Sequence, residues 1–263
     1  MTEALYLPAG VENGVERFKP TEHCVGPWAD HLQHAGPPIG LLTRAMDRLA
    51  SRADARLTRI TTEILGAILL DEVEVTARVE RPGRRIELLS AEMRQDGRPV
   101  ARAAAWRLRT LDTGEVVHHA EPTLPAATER FDGLGALASW SGGFVAALDW
   151  LALSTEIRHG ETTKVWTRLR PALVAGEAIT DLERVAITSD VANGVGARLD
   201  PARWTFLNTE TTLHLYDPPS GELVGLAAET SIGRDGVAMS SAVLSSVTGP
   251  IGRVTQNSLV ERR

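Results

Sequence analysis

Residues Ile179 to Gly194 read ITDLERVAITSDVANG, and the rest of the chain is organised around this stretch. Thr180-Asp181-Leu182-Glu183 forms a capping box, in which the Thr hydroxyl and the Glu carboxylate satisfy amides that a helix start leaves orphaned. Asn193-Gly194 is the matching stop signal. Between them Leu182, Ala186 and Asp190 fall four apart, so a core-facing Leu182 and Ala186 put Asp190 on the same inner face. The ordinary account of such an Asp is a polar residue at a frayed end, reaching solvent or capping nearby amides. The flanking sequence decides whether a stronger account is needed.

Outward from the helix, the composition excludes several classes. The 263 residues are 43% hydrophobic, ample for packed cores in one large domain or two of ordinary size. With 28 basic and 34 acidic residues, the net charge of −6 argues against nucleic acid or an anionic membrane as the main partner. The start, MTEALYLPAGVENGVERF, lacks the basic segment and apolar run of a signal peptide, and no apolar stretch is long enough to span a membrane. A cytoplasmic soluble protein is expected. The single cysteine, Cys24, forms no internal disulfide or thiolate cluster and reads as a small buried hydrophobe.

On the N-terminal side, a strand is expected from Val15 to Val25. The loop WADHLQHAGPP then leads into a helix whose apolar residues Ile39, Leu42, Met46 and Leu49 keep helical spacing to about Ser51. Strands follow over Leu57 to Ala67, Asp71 to Arg81, Arg85 to Arg94 and Pro99 to Arg109, with Pro82-Gly83 and Asp96-Gly97 as turns. Val117 to Gly143 reads as a connection, which divides the chain into 1–120, a linker 121–143, and 144–263. The second half repeats the plan. Strands at Asp149 to Ile157 and Lys164 to Arg170 precede the helix at Thr180, and runs at Thr205 to Tyr216, Glu222 to Ser231, Val237 to Val247 and Ile251 to Val260 follow it. Gly97 to Ala103 can be laid over Gly249 to Val254 with one residue inserted, which points to duplication. The class is α+β, a helix wrapped by a curved antiparallel sheet, twice.

The motifs SDVANG, WTFLNTETTLHLYDPP and GPIGRVTQNSLV, with HAGPPIGLL and RPGRR in the first half, resemble the acyl-CoA thioesterase II family of double-hotdog proteins, in particular its actinobacterial thioesterase-like branch. The resemblance implies hydrolysis of an acyl-CoA thioester by water, with no covalent enzyme intermediate, no metal and no organic cofactor. It also implies a homodimer or higher homo-oligomer. Family members use an Asp near the end of the second helix, a Thr or Ser at the start of the following strand, and a Gln in the last strand. These positions fall on Asp190, Asn208 and Gln256, so the hydroxyl is replaced by an amide at Asn208.

The three residue types suit the chemistry. A carboxylate such as Asp190 takes a proton from attacking water, and the amides of Asn208 and Gln256 orient that water without being bases themselves. Asn208 leaves two readings open: an altered but working hydrolase, or a catalytically silent protein that binds acyl-CoA. Thr209, Thr211 and Thr212 are nearby hydroxyls, and Thr209 reaches the face of Asn208 only if the strand bulges. A hotdog hydratase ranks last, since DVANG lacks the His of that signature. In the overlay Gln256 falls on Ala105, and the first helix ends without an Asp, so one site per chain is expected. His31 and His34 have no carboxylate or Cys to complete a metal set and read as solvated loop histidines. Trp28 and Trp140 are candidates to line an acyl pocket. Arg81 to Arg85 reads as a solvated turn, with CoA phosphates as its other possible use.

Overall fold

Two Xaa-Gly pairs set the first hairpins. Asn13 and Gly14 have φ of 51° and 79°, and Asp96 and Gly97 have 48° and 71°, the paired positive angles that match a two-residue turn to strand twist. In the computed structural model, which describes residues 3–49, 52–126, 142–153 and 162–263, the first pair joins β1 (Ala4–Glu12) to β2 (Val15–Pro20). The second joins β5 (Ile86–Gln95) to β6 (Arg98–Arg109). Helix α1 (Gly36–Arg48), β3 (Ala55–Ile64) and β4 (Val73–Arg81) complete the first half.

The second half holds α2 (Gly143–Ala146), β7 (Leu148–Ala152), β8 (Thr163–Leu169), β9 (Ala172–Val174), α3 (Asp181–Ser189), α4 (Ala192–Val195), β10 (Trp204–Asn208), β11 (Glu210–Leu215), β12 (Leu223–Ile232), β13 (Val237–Ser246) and β14 (Gly249–Arg262). The strands form one sheet in the order β7-β8-β12-β13-β14-β11-β3-β6-β5-β4-β2-β1-β9, with β10 also on β14. The triplets β5-β6-β3 and β13-β14-β11 hold the same place in each half, and they join where β11 pairs with β3. The larger of two apolar clusters runs through both halves, including Leu41, Met46 and Leu89 from the first and Ile187, Leu213 and Leu226 from the second.

Several elements differ from the sequence reading. The strand expected over Val15 to Val25 stops at Pro20, where Thr21 begins a 3-10 turn by accepting from the His23 amide. It is preceded by β1, which pairs in parallel with β9 at the far end of the sheet. Helix α1 begins three residues before Ile39 because Pro37 and Pro38 fit inside its first turn. Its expected end at Ser51 lies outside the described residues, as do residues 154–157 of the strand expected from Asp149. The run Thr205 to Tyr216 breaks at Thr209 into β10 and β11. The capping box at Thr180 and Glu183 is formed, but α3 ends at Ser189, and Asn193-Gly194 sit within α4. Cys24 is buried, its thiol donating to the Leu5 carbonyl at 3.0 Å. Among the described residues, no helix is long and apolar enough to cross a membrane.

Candidate active site

The two helices meet closely because α1 presents glycine to α3. A Cβ at Gly36 would lie 2.6 Å from the Ile187 carbonyl oxygen, and one at Gly40 would lie 2.4 Å from Ile187 Cγ1. The opposite ends meet as well, since Arg48 near the end of α1 pairs with Glu177 ahead of α3. The helices therefore run antiparallel, and the end of α3 is held beside the start of α1. Asp190 is the C-cap residue of α3 and is 2% exposed, so a carboxylate is buried where the two halves touch. A buried carboxylate is tolerated only when hydrogen bonds replace its lost hydration.

Three donors converge on one of its oxygens. Asn208 Nδ2 donates to Asp190 Oδ1 at 2.8 Å, Thr211 Oγ1 at 3.0 Å and Gln256 Nε2 at 3.0 Å. The strands explain how these side chains meet. Gln256 on β14 faces the core opposite Ser240 of β13, and two residues on, Ser258 is the partner of Asn208 in β10. Asn208 and Thr211 are an odd number apart and would face opposite sides of a regular strand. The break at Thr209, whose amide bonds the Asn257 carbonyl while its own carbonyl accepts from Ile64, turns both towards Asp190.

The second oxygen meets the other half of the chain. His34 Nδ1 lies 3.0 Å from Asp190 Oδ2, and the imidazole lies against Phe144 of α2, ring centroids 4.5 Å apart. Pro37 and Pro38 leave Gly36 the sole first-turn amide of α1, and it lies 3.1 Å from the same nitrogen.

The sequence-predicted residues Asp190, Asn208 and Gln256 are thus brought together, in different situations. Gln256 is buried and its amide is committed at both ends, Nε2 to Asp190 and Thr211 and Oε1 to the Asn193 amide at 2.9 Å. Asn208 is partly exposed, and its Oδ1 has no protein partner among the described residues. Two further residues stand against Asp190 that the sequence does not single out. Thr211 reads in sequence only as a nearby hydroxyl, because strand parity hides it until the break at Thr209 is known. His34 reads in sequence as a solvated loop residue, although its place two residues before a Gly-Pro-Pro helix start signals that it sits at the mouth of α1.

Beyond Gln256 the same strip of sheet continues into a narrow cavity lined by Asn193, Phe206, Thr230, Ser240, Ser258 and Val260. Trp28 packs edge-on to Phe206, ring centroids 5.2 Å apart, at the border of this cavity, whereas Trp140 lies outside the described residues. Among the described residues, no group of His, Cys, Asp and Glu is arranged to hold a metal ion.

Residues 117–260 match the family model described as the acyl-CoA thioesterase C-terminal domain, and residues 25–108 match the corresponding N-terminal domain. No curated protein matches. Solved structures that are similar include a TesB protein of Mycobacterium avium subspecies paratuberculosis, 15% identical with a TM-score of 0.72, covering 97% of this chain and 96% of that one. An acyl-CoA thioesterase II of Mycobacterium marinum is 12% identical with a TM-score of 0.68, over 97% and 95% of the two chains. A hot dog fold protein of unknown function from Alicyclobacillus acidocaldarius is 14% identical with a TM-score of 0.75, over 97% and 95%. The architecture is an α+β double hotdog, and at these identities the similar structures speak to the fold alone.

Proposed function

Because the chain belongs to the acyl-CoA thioesterase family, matched in both halves, we propose that it hydrolyses an acyl-CoA thioester by water activated at the Asp190 cluster. The products are free CoA and a carboxylic acid. The observation that carries this reading is the buried Asp190 carboxylate, fixed by Asn208, Thr211, Gln256 and His34 where α1 and α3 meet. Water is a poor nucleophile at neutral pH, and the carboxylate supplies the negative charge that draws off its proton as it attacks the carbonyl carbon.

Gln256 and Thr211 spend their hydrogen bonds on Asp190 and act by holding it in one rotamer. Asn208 donates to Asp190 through Nδ2 and keeps Oδ1 as an acceptor for the attacking water. Thr211 places a hydroxyl 3.0 Å from Asp190. This supports the working hydrolase over the silent acyl-CoA binder that Asn208 alone suggested.

The test is release of thiol from acetyl-, hexanoyl- and dodecanoyl-CoA. Wild-type protein turns over at least one of them, and Asp190→Asn lowers kcat by roughly 10²- to 10⁴-fold, the usual contribution of a positioned base. Saturable acyl-CoA binding with no thiol release by the wild type would instead establish the silent binder.

A further inference from the structure

At the end of β10 away from Asn208, three arginines gather without a carboxylate to pair with. Arg203 precedes the strand, Arg262 ends β14 as the partner of Trp204, and the Arg263 amide donates to the Arg203 carbonyl at 3.1 Å. All three side chains are exposed, and none forms an ion pair among the described residues. Arginines elsewhere on the surface do, as Arg17, Arg94 and Arg102 each meet a glutamate within 3.1 Å. The neighbouring acids in sequence are placed elsewhere: Asp200 accepts from the Ala202 amide at 2.9 Å, and Glu261 lies on the other face of β14 from Arg262. Tryptophans take the place of carboxylates, with Arg262 over Trp204 and Arg263 over Trp28, 5.4 and 5.3 Å from the ring centroids. A guanidinium stacked on a ring keeps its N–H edge, the part that grips a phosphate.

We propose that Arg203, Arg262 and Arg263, with Trp28 and Trp204, bind the phosphate-bearing nucleotide end of CoA. This rests on the thioesterase reading and places the leaving group of its substrate. Register puts the cluster in line with the site. Asn208, Phe206 and Trp204 alternate onto one face of β10, and their partners Ser258, Val260 and Arg262 onto the same face of β14, so the Trp204–Arg262 pair shares the face that carries Asn208 to Asp190. The span fits as well. Trp204 and Asn208 are four residues apart in the strand, roughly 13 Å at about 3.3 Å each. The pantetheine arm of CoA has about twelve chain atoms between sulfur and the first phosphorus, as many as four residues of extended peptide, and so reaches roughly 13–14 Å. A thioester at Asn208 therefore leaves the phosphates at Arg262.

The strand between these ends suits such an arm. Among the described strands β10 pairs with β14 alone, so its other edge carries no strand. The Thr209 amide bonds the Asn257 carbonyl and the Arg263 amide bonds that of Arg203, and by antiparallel alternation the backbone of Asn208 faces the open edge, where an amide of the arm can pair with it. Charge favours the same place. A chain of net charge −6 repels a polyanion over most of its surface, so an unpaired cluster of arginines is where CoA phosphates gain most. The turn from Arg81 to Arg85 is no rival, because Arg52, just beyond α1, donates to the Gly83 and Arg84 carbonyls. That puts the turn at the opposite end of α1 from His34 and Asp190, about 20 Å along a helix of 13 residues.

The experiment compares wild type with a chain carrying Arg262→Gln and Arg263→Gln. The substrates are whichever of the three acyl-CoA esters is turned over best and the pantetheine thioester of the same acid. KM for the acyl-CoA should rise roughly 10- to 100-fold in the variant, the size expected for lost hydrogen bonds to charged groups. The pantetheine thioester, which has no nucleotide to bind, should lose far less. For wild type, KM for the acyl-CoA should also rise with added salt. An unchanged KM for the acyl-CoA would overturn the proposal while leaving the thioesterase reading intact, and so would equal losses on both substrates, which would mark the arginines as structural. Calorimetric titration with free CoA reads the site apart from hydrolysis. Weaker binding of CoA by the variant supports the site even where wild type releases no thiol and the hydrolase reading fails, and equal binding by the two proteins contradicts it.

Discussion

Thr211 and Gln256 differ in what they give to Asp190, and substitution separates them. The Thr211 hydroxyl donates to Oδ1 at 3.0 Å from a fully buried position. A hydrogen bond to a charged group contributes about 1.5–3 kcal/mol, so Thr211→Val, nearly isosteric, should lower kcat by roughly 10- to 100-fold. An unchanged kcat for Thr211→Val would show that the hydroxyl is dispensable and that Asn208 and Gln256 together suffice to hold this oxygen of the carboxylate. Asp190 and Gln256 were legible in the sequence because each sits in a short local pattern, SDVANG and VTQNSL. His34 and Thr211 were not, since one depends on two helices meeting and the other on a strand losing its parity.

The contact between α1 and α3 is what converts these residues into a site. Gly40 leaves no room for a side chain, with Ile187 Cγ1 2.4 Å from where its Cβ would stand. Gly40→Ala should force the helices apart and cost about 1–3 kcal/mol of stability through overpacking, with a parallel loss of hydrolysis as Asp190 moves from Thr211 and Gln256. Adding Ile187→Ala in the same chain should return part of both, as urea unfolding and thiol release would measure. Purely additive losses in the double variant would mean that the helix contact does not set the position of Asp190. At this scale the capping box of α3 and the Asp96-Gly97 hairpin were readable, because capping and tight turns are written within four residues. The Asn13-Gly14 turn carried the same signal and would have revealed β1. The pairing of β1 with β9 joins residues far apart in sequence and leaves no such local mark.

The two halves act as one body, through a shared core and through charges that cross between them. Arg44 of α1 donates to Glu16 at 3.0 Å and to Glu177, ahead of α3, at 2.7 and 2.8 Å. The hydrogen bond from Arg44 holds the Glu177 carboxyl below its ordinary value, against the opposing effect of burial. Such a depressed group stabilises the fold fully above the ordinary Glu value of about 4.3 and loses that contribution as the pH falls through the lower folded value. Glu177→Gln should therefore lose stability at pH 7 and converge with wild type near pH 3, followed by urea unfolding. A gap between the two that stays constant with pH would contradict this linkage. The duplication visible in the sequence anticipated the paired triplets of strands, whereas the joining of both sheets through β3 and β11 required the structure. The central claim is that a carboxylate buried where the halves meet drives thioester hydrolysis, and thiol release from acetyl-, hexanoyl- and dodecanoyl-CoA by wild type and Asp190→Asn tests it most directly. Turnover by wild type with a roughly 10²- to 10⁴-fold loss in the variant is the expected result, and equal turnover by the two proteins would contradict it.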